Sequence, residues 1–182
     1  MRIVLDACVL YPTVMRQVIL GAARATGAFE PVWSARILEE WARAAEKLGP
    51  EGAAQARGEI VLLRADWPDA ERRPEPGIEA RLWLPDPADV HVLAVAVGSS
   101  ADAIMTLNAK DFPRGTLAEE GLVRIDPDAL LSSLAQEHVE AMRTVGAEIL
   151  AEARRLSGED WTLRGLMKKA RLPRLGKQLD RP

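Results

Sequence analysis

The amino-acid sequence predicts an α/β fold around a mostly parallel sheet, and three observations carry that expectation. Strand-like apolar runs alternate with helical stretches through the first two thirds of the chain. The first of these runs is continuously apolar, as a strand covered on both faces of a parallel sheet is. Acidic or amide residues follow such runs, at the carboxyl ends of strands where open parallel sheets bind ligands.

Taken in order, RIVLD is a strand, TVMRQVILGAARAT a helix and FEPVWS a strand. SARILEEWARAAEKLG and EGAAQARGEIVLLRADW are two further helices, after which a Pro-rich passage runs to LWLPDP. ADVHVLAVAVGSS is then a helix, ADAIMTLN a strand and GLVRIDP a short strand. No repeat, P-loop or Gly-rich dinucleotide turn interrupts them. From Pro127 the texture changes: DALLSSLAQEHVEAMRTVGAEILAEARRL keeps helical spacing and is expected to run as one helix until Gly158 stops it. EDWTLRGLMKKARL is a second helical stretch that ends before Pro173, and RLGKQLDRP is expected to be a loose end. The expected organisation is a domain over residues 1–127 and a helical C-terminal extension over 128–182.

A chain of 182 residues can bury one core without staples. Its single cysteine, Cys8, rules out an internal disulfide framework and a thiolate metal cage, and is read as a small packing residue. No apolar run reaches the roughly 20 residues that span a bilayer, and the start lacks a secretory pattern, so a cytoplasmic location without membrane contact is expected. The net charge of −3 hides an asymmetry: Arg164, Lys168, Lys169, Arg171, Arg174, Lys177 and Arg181 face Asp180 alone, leaving +6 on the tail and −9 on the rest. Such a tail suits a polyanion or an acidic partner surface.

Four acidic segments stand out. Asp6 ends the first strand, where it either caps the next helix or faces a ligand. In ILEEW, placing residues at about 100° intervals puts Ile37, Leu38, Trp41, Ala45 and Leu48 on one apolar face, with Glu40 at its flank and Glu39 nearly opposite. In LPDPADVHVLAVAVG, Asp86 is the expected N-cap, Pro87 the first helical residue, and Asp89 lies three positions after the cap. ADAIMTLNAKDFP brings Thr106, Asn108 and Asp111 to another strand end, while Asp102 lies at the opposite end of that strand. Carboxylates gathered at one rim repel one another, and Mg²⁺ or Mn²⁺ relieves this with oxygen ligation, retaining waters that can be activated against a phosphate. His91 and His138 are too far apart to suggest zinc and are read as structural or solvated.

With these segments in place, the sequence resembles a PIN-domain ribonuclease, in particular the VapC-like toxins of bacterial toxin-antitoxin pairs. The resemblance covers about residues 1–127: LDACVL, ILEEW and DPADVHVLAVAVGSSADAIMTLNAKDFP, in that order. It implies a three-layer α/β/α sandwich whose acidic pocket binds one or two divalent ions, Mg²⁺ or Mn²⁺, and cuts RNA. Asp6 and Asp89 would then be catalytic metal ligands, and Glu40 the acid that binds metal or orients water, with Glu39 as its alternative. Many relatives have an Asp where this chain has Asn108, so Asn108 becomes a neutral ligand and Asp111 its anionic substitute. The first motif often has Asn where Cys8 stands. Thr106 and Asn108, with Lys168, Lys169 and Arg171 of the tail, are the expected substrate-binding residues, and the extension resembles one carried by a subgroup of these toxins.

The resulting expectation is a metal-dependent endoribonuclease, the toxin partner of a small antitoxin protein and a homodimer. The alternative is a module of the same fold that binds RNA or a partner and scarcely cleaves. A phosphoaspartyl hydrolase would need a second acid at the position of Cys8. Of the five tryptophans, Trp33, Trp41 and Trp83 are expected in the core or an interface, leaving Trp67 and Trp161 as candidate contacts with RNA or antitoxin.

Overall fold

A computed structural model describes residues 1–180, and Arg181 of the basic tail lies outside them. In chain order the elements are β1 (Arg2–Leu5), α1 (Ala7–Leu10), α2 (Thr13–Thr26), β2 (Glu30–Val32), α3 (Ala35–Glu46) and α4 (Pro50–Asp66). There follow α5 (Ile78–Arg81), a 3-10 turn (Pro87–Asp89), α6 (Val90–Gly98), β3 (Ala103–Met105), α7 (Arg114–Glu119) and β4 (Val123–Ile125). The C-terminal helices are α8 (Pro127–Glu137), α9 (Val139–Ser157), α10 (Leu163–Lys169) and α11 (Pro173–Leu179). The expected α/β class and parallel sheet are present, and the short helices α1, α5, which lies in the Pro-rich passage, and α7 are additions. The chain forms two compact units, one from residues 1–11 and 30–125, the other from 12–29 and 126–180.

The first unit holds the whole sheet, in the order β2-β1-β3-β4 with every pairing parallel. Central strands β1 and β3 read Ile-Val-Leu and Ala-Ile-Met because both faces are covered, and all six residues are fully buried. Helix α6 packs on β1 and β3, with an almost uniformly apolar run to match. Helix α3 is amphipathic: Ile37, Leu38, Trp41, Ala42 and Ala45 are buried, and α4 packs against it. Leu48, expected on that face, is 69 % exposed because α3 ends at Glu46 and the wheel geometry ends with it. Trp33 and Trp41 are core residues as expected, whereas Trp83 is 67 % exposed, on a segment past α5 that has left regular structure.

The second unit is helical. Helices α2 and α9 meet at Gly21, where a Cβ would lie 2.9 Å from a Val145 methyl, so glycine permits the close crossing. The stretch expected to be one helix is broken at His138, whose φ of −123° and ψ of 55° leave helical space. The break lets α9 pack against both α2 and α8, burying apolar residues that a single straight rod would leave in water. Gly158 stops α9 as expected, at a φ of 69° that suits glycine. Of RLGKQLDRP, residues 174–180 are described, and they are not loose. Buried Asp128 accepts the backbone N–H groups of Arg174 and Leu175, each at 2.9 Å, so α11 starts with two of its orphan donors satisfied and buries Leu175 and Leu179.

Helix α3, which carries Glu39 and Glu40, is started by Ser34, whose buried hydroxyl accepts the N–H of Ile37 at 3.2 Å. Replacing Ser34 by Ala is expected to cost about 1 kcal/mol and to lower the melting temperature by roughly 2–4 °C. Thermal unfolding followed by circular dichroism checks this, and an unchanged midpoint would contradict the cap's role.

Candidate functional site

The site forms at the carboxyl ends of β1 and β3. Parallel pairing sets Leu5 beside Met105, and one residue further Asp6 N–H donates to Met105 O at 3.1 Å, so Asp6 and Thr106 emerge side by side. Asp6 occupies the N-cap position of α1 yet its side chain caps nothing. Its carboxylate, on a residue only 7 % exposed, instead accepts the Thr106 hydroxyl at 2.7 Å and the Cys8 thiol at 3.0 Å, both at Oδ2. Thr106 is 4 % exposed and also accepts the Asn108 N–H at 2.9 Å, so its hydroxyl is engaged within the site. Cys8 is more than a packing residue. It accepts the Leu107 N–H at 3.2 Å, and burial, with the neighbouring Asp6, pushes its thiol up to about 12, which keeps it protonated as a donor to Asp6.

The other acids approach from two further segments. Asp86 caps the 3-10 turn as expected, accepting Ala88 N–H at 2.9 Å, whereas Asp89 makes no cap hydrogen bond. One carboxylate oxygen from each of Asp86, Asp89 and Asp111 lies within 4.8 Å of the other two. Oxygens on opposite sides of Mg²⁺ stand about 4.2 Å apart, given metal–oxygen distances near 2.1 Å. Small side-chain turns close that difference, so three hard oxygen donors fit a divalent cation. Asp111 is joined to Asn108, whose side-chain amide donates to it. Arg124 pins the same turn by donating to Ala109 O at 2.6 Å and Phe112 O at 2.9 Å.

Electrostatics show how closely the segments converge. Asp89 is pushed up to about 6 from an ordinary 3.8, first by burial and then by the charges of Asp6, Asp86, Asp111 and Glu40. Four carboxylates from separate stretches of chain thus oppose the ionisation of a fifth. Glu39 and Glu40 part company, as their spacing on α3 requires. Glu39 faces Arg43 and Arg57 at 3.3 and 3.2 Å, and the Arg57 guanidinium holds its carboxyl below the ordinary range. Glu40 leans the other way, with Oε1 2.7 Å from His91 Nε2 and 3.9 Å from Arg36 Nε.

Asp6, Glu40 and Asp111, picked out in the sequence, therefore all act on Asp89, picked out with them. The oxygen trio differs from that set: Asp86 joins it, while Asp6 and Glu40 stand outside. Asp102 stays at the far end of β3, accepting Arg2 N–H at 2.7 Å. Lys168, Lys169 and Arg171 belong to the second unit and are exposed there, Lys169 with its ammonium 4.5 Å from the Trp161 ring centre. Sequence reasoning missed Asp86 as a ligand, because its capping role accounts for it, and His91, whose isolation from His138 hid its contact with Glu40. It also missed Arg124. Only Asp86 left a sequence signal, an acid three residues before Asp89.

A family model described as PIN domain matches residues 2–110, which is more than half of the chain. The chain belongs to the PIN-domain family. No curated protein and no solved structure matches it. PIN domains are generally nucleases that bind nucleic acid and use divalent metals, and the acidic group at Asp86, Asp89 and Asp111 is suited to such a metal in this PIN domain. Among the described residues no helix is long and apolar enough to cross a membrane.

The raised Asp89 has a signed consequence for the metal-free PIN domain. Its folded form holds a proton more tightly than the unfolded chain, so for this group stability is greatest below about 4 and is lost as pH rises through about 6. Asp89→Asn removes the repulsion at neutral pH, and because solvent screens a half-exposed carboxylate the expected gain is held to the order of 1 kcal/mol, or roughly 2–4 °C in melting temperature. The gain should fade at pH 4.5, where Asp89 is itself protonated. Thermal unfolding in chelator at the two pH values checks this, and a variant less stable than the parent at neutral pH would contradict it.

Proposed function

We propose that this chain is a divalent-metal-dependent endoribonuclease, the toxin of a toxin-antitoxin pair, dimeric and neutralised by a small antitoxin protein. The supporting observation is the convergence on Asp89 of carboxylates from the end of β1, α3, the cap of the 3-10 turn and the turn after β3, held under mutual repulsion. Residues 1–127 would be the nuclease domain and 128–182 an extension that assists it, in the cytoplasm.

Asp86, Asp89 and Asp111 would hold Mg²⁺ or Mn²⁺, with Asp6 and Asn108 completing the ligand set and Glu40 helping to hold the cation through one of its waters. When bound, the cation would offset the charge of the scissile phosphate and acidify a water. The protein's own groups then have distinct tasks. Thr106 and Cys8 fix the Asp6 carboxylate by donating to it, and Asn108 and Arg124 fix Asp111 and its turn. Glu40, with Oε1 turned to His91, has Oε2 to take a proton from the water that attacks phosphorus, while the ester P–O bond breaks and the departing sugar oxygen takes a proton from solvent. Glu39 is unsuited to this work because two arginines already occupy it. The exposed cations Lys168, Lys169 and Arg171 would grip phosphates of the RNA.

A second reading is favoured by Asn108, a neutral side chain where many relatives of the sequence pattern have an acid: a PIN-fold module that binds RNA or a partner and barely cleaves. Cleavage of single-stranded RNA by purified protein separates the two. Activity should need Mg²⁺ or Mn²⁺, stop in chelator, and fall at least ~100-fold in Asp6→Asn and Asp89→Asn, the scale on which removing a catalytic electrostatic group acts. Undiminished cleavage in both variants, or cleavage in chelator, would overturn the nuclease proposal. RNA binding should also weaken with salt, and Lys168→Ala, Lys169→Ala and Arg171→Ala together should reduce the slope of log affinity against log salt by about 2. An unchanged slope would remove the tail from the RNA interface.

A further inference from the structure

We propose that His91 is a positioning residue for Glu40, an inference that rests on the nuclease reading above. His91 enters the molecule on the first turn of α6, two residues after Asp89, and is 1 % exposed. Neither ring nitrogen has a partner in hydrogen-bonding alignment, an unusual state for a buried imidazole. Nε2 nonetheless lies 2.7 Å from Glu40 Oε1, so distance is satisfied and only direction is not. Glu40 is partly exposed at the rim, and a modest turn of its carboxyl would bring Oε1 into line with the Nε2–H.

The two side chains come from different helices, α3 and α6, and each has a reason to need the other. Glu40 sits on the flank of a helix whose apolar stripe fixes its Cα and leaves its long side chain several rotamers. On the exposed side, Arg36 reaches Oε1 only at 3.9 Å, too far to hold it. His91 fills a buried slot beside Val92 and Leu93, which an aliphatic side chain would fill without stranded nitrogens. A donor at this place orients one carboxylate oxygen and aims the other at the acidic cluster, the arrangement by which outer groups tune metal sites and proton acceptors. The inference concerns orientation and requires only that Nε2 serve as the donor to Glu40 Oε1.

Calorimetric titration of Mn²⁺ tests this on full-length wild type, His91→Leu, His91→Gln, Glu40→Gln and the His91→Leu/Glu40→Gln double variant, with melting temperatures measured alongside. Leu removes the donor at similar volume, and Gln can return an N–H near the position of Nε2. His91→Leu is expected to weaken Mn²⁺ affinity about tenfold with an equal or higher melting temperature, since it removes a stranded polar group. His91→Gln should recover most of the affinity, and His91→Leu should add no loss on the Glu40→Gln background. A purely structural role predicts instead a lowered melting temperature and an effect that persists without Glu40. Wild-type affinity in folded His91→Leu, or equal losses in the Leu and Gln variants, would overturn the inference alone. Absence of Mn²⁺ binding by wild type would overturn the metal-dependent reading and this inference with it.

Discussion

The pairing register of β1 with β3 is the constraint from which the site grows. Because the strands run parallel and Leu5 lies beside Met105, the next residue of each, Asp6 and Thr106, leaves the sheet at the same height and on the same rim. A shift of one residue would turn every side chain of β1 to the other face and carry the core with it, so the position of Asp6 is fixed by the burial of Ile3, Val4 and Leu5. Apolar packing thus places a charge where, left to itself, it would not go. Thr106 and Cys8 meet part of the cost by donating to its carboxylate.

The remaining acids are brought in by elements whose folding has its own reasons. Ser34 starts α3, the 3-10 turn starts α6, and Arg124 ties the turn after β3 through two carbonyls. None of those contacts needs a metal. What they create together is a cluster in which Asp89 feels four like charges. Where the same chain has no use for repulsion it pairs its acids, as Glu39 is paired with Arg43 and Arg57 and Arg64 with Glu71. The contrast between paired and clustered carboxylates separates surface charge from a site.

The sheet strands were legible because a short, continuously apolar run between turn residues suits little besides a covered strand, and α3 because its wheel separates Glu39 from Glu40. Burial at the ends of elements was not. Leu48 and Trp83 are apolar residues just past where helical geometry stops, and periodicity carries no information there. The break at His138 and the folding back of α11 depend on contacts between helices, including Asp128 with Arg174 and Leu175, that are 46 and 47 positions apart. In the site, Asp6, Glu40, Asp89 and Asp111 could be named one by one, since each ends or flanks a recognisable element. Asp86 was concealed by its cap and Cys8 by its small size. The Glu40–His91 contact joins residues on separate helices and leaves no trace in local pattern.

The account turns on a dication replacing mutual repulsion among Asp89 and its neighbours, and that exchange can be counted in protons. Calorimetry of Mn²⁺ binding in two buffers of different ionisation enthalpy gives the number of protons released. With Asp89 near 6, the account predicts release of roughly half a proton at pH 6, falling toward zero at pH 8. Binding that releases no proton at either pH, or no binding at all, would contradict it.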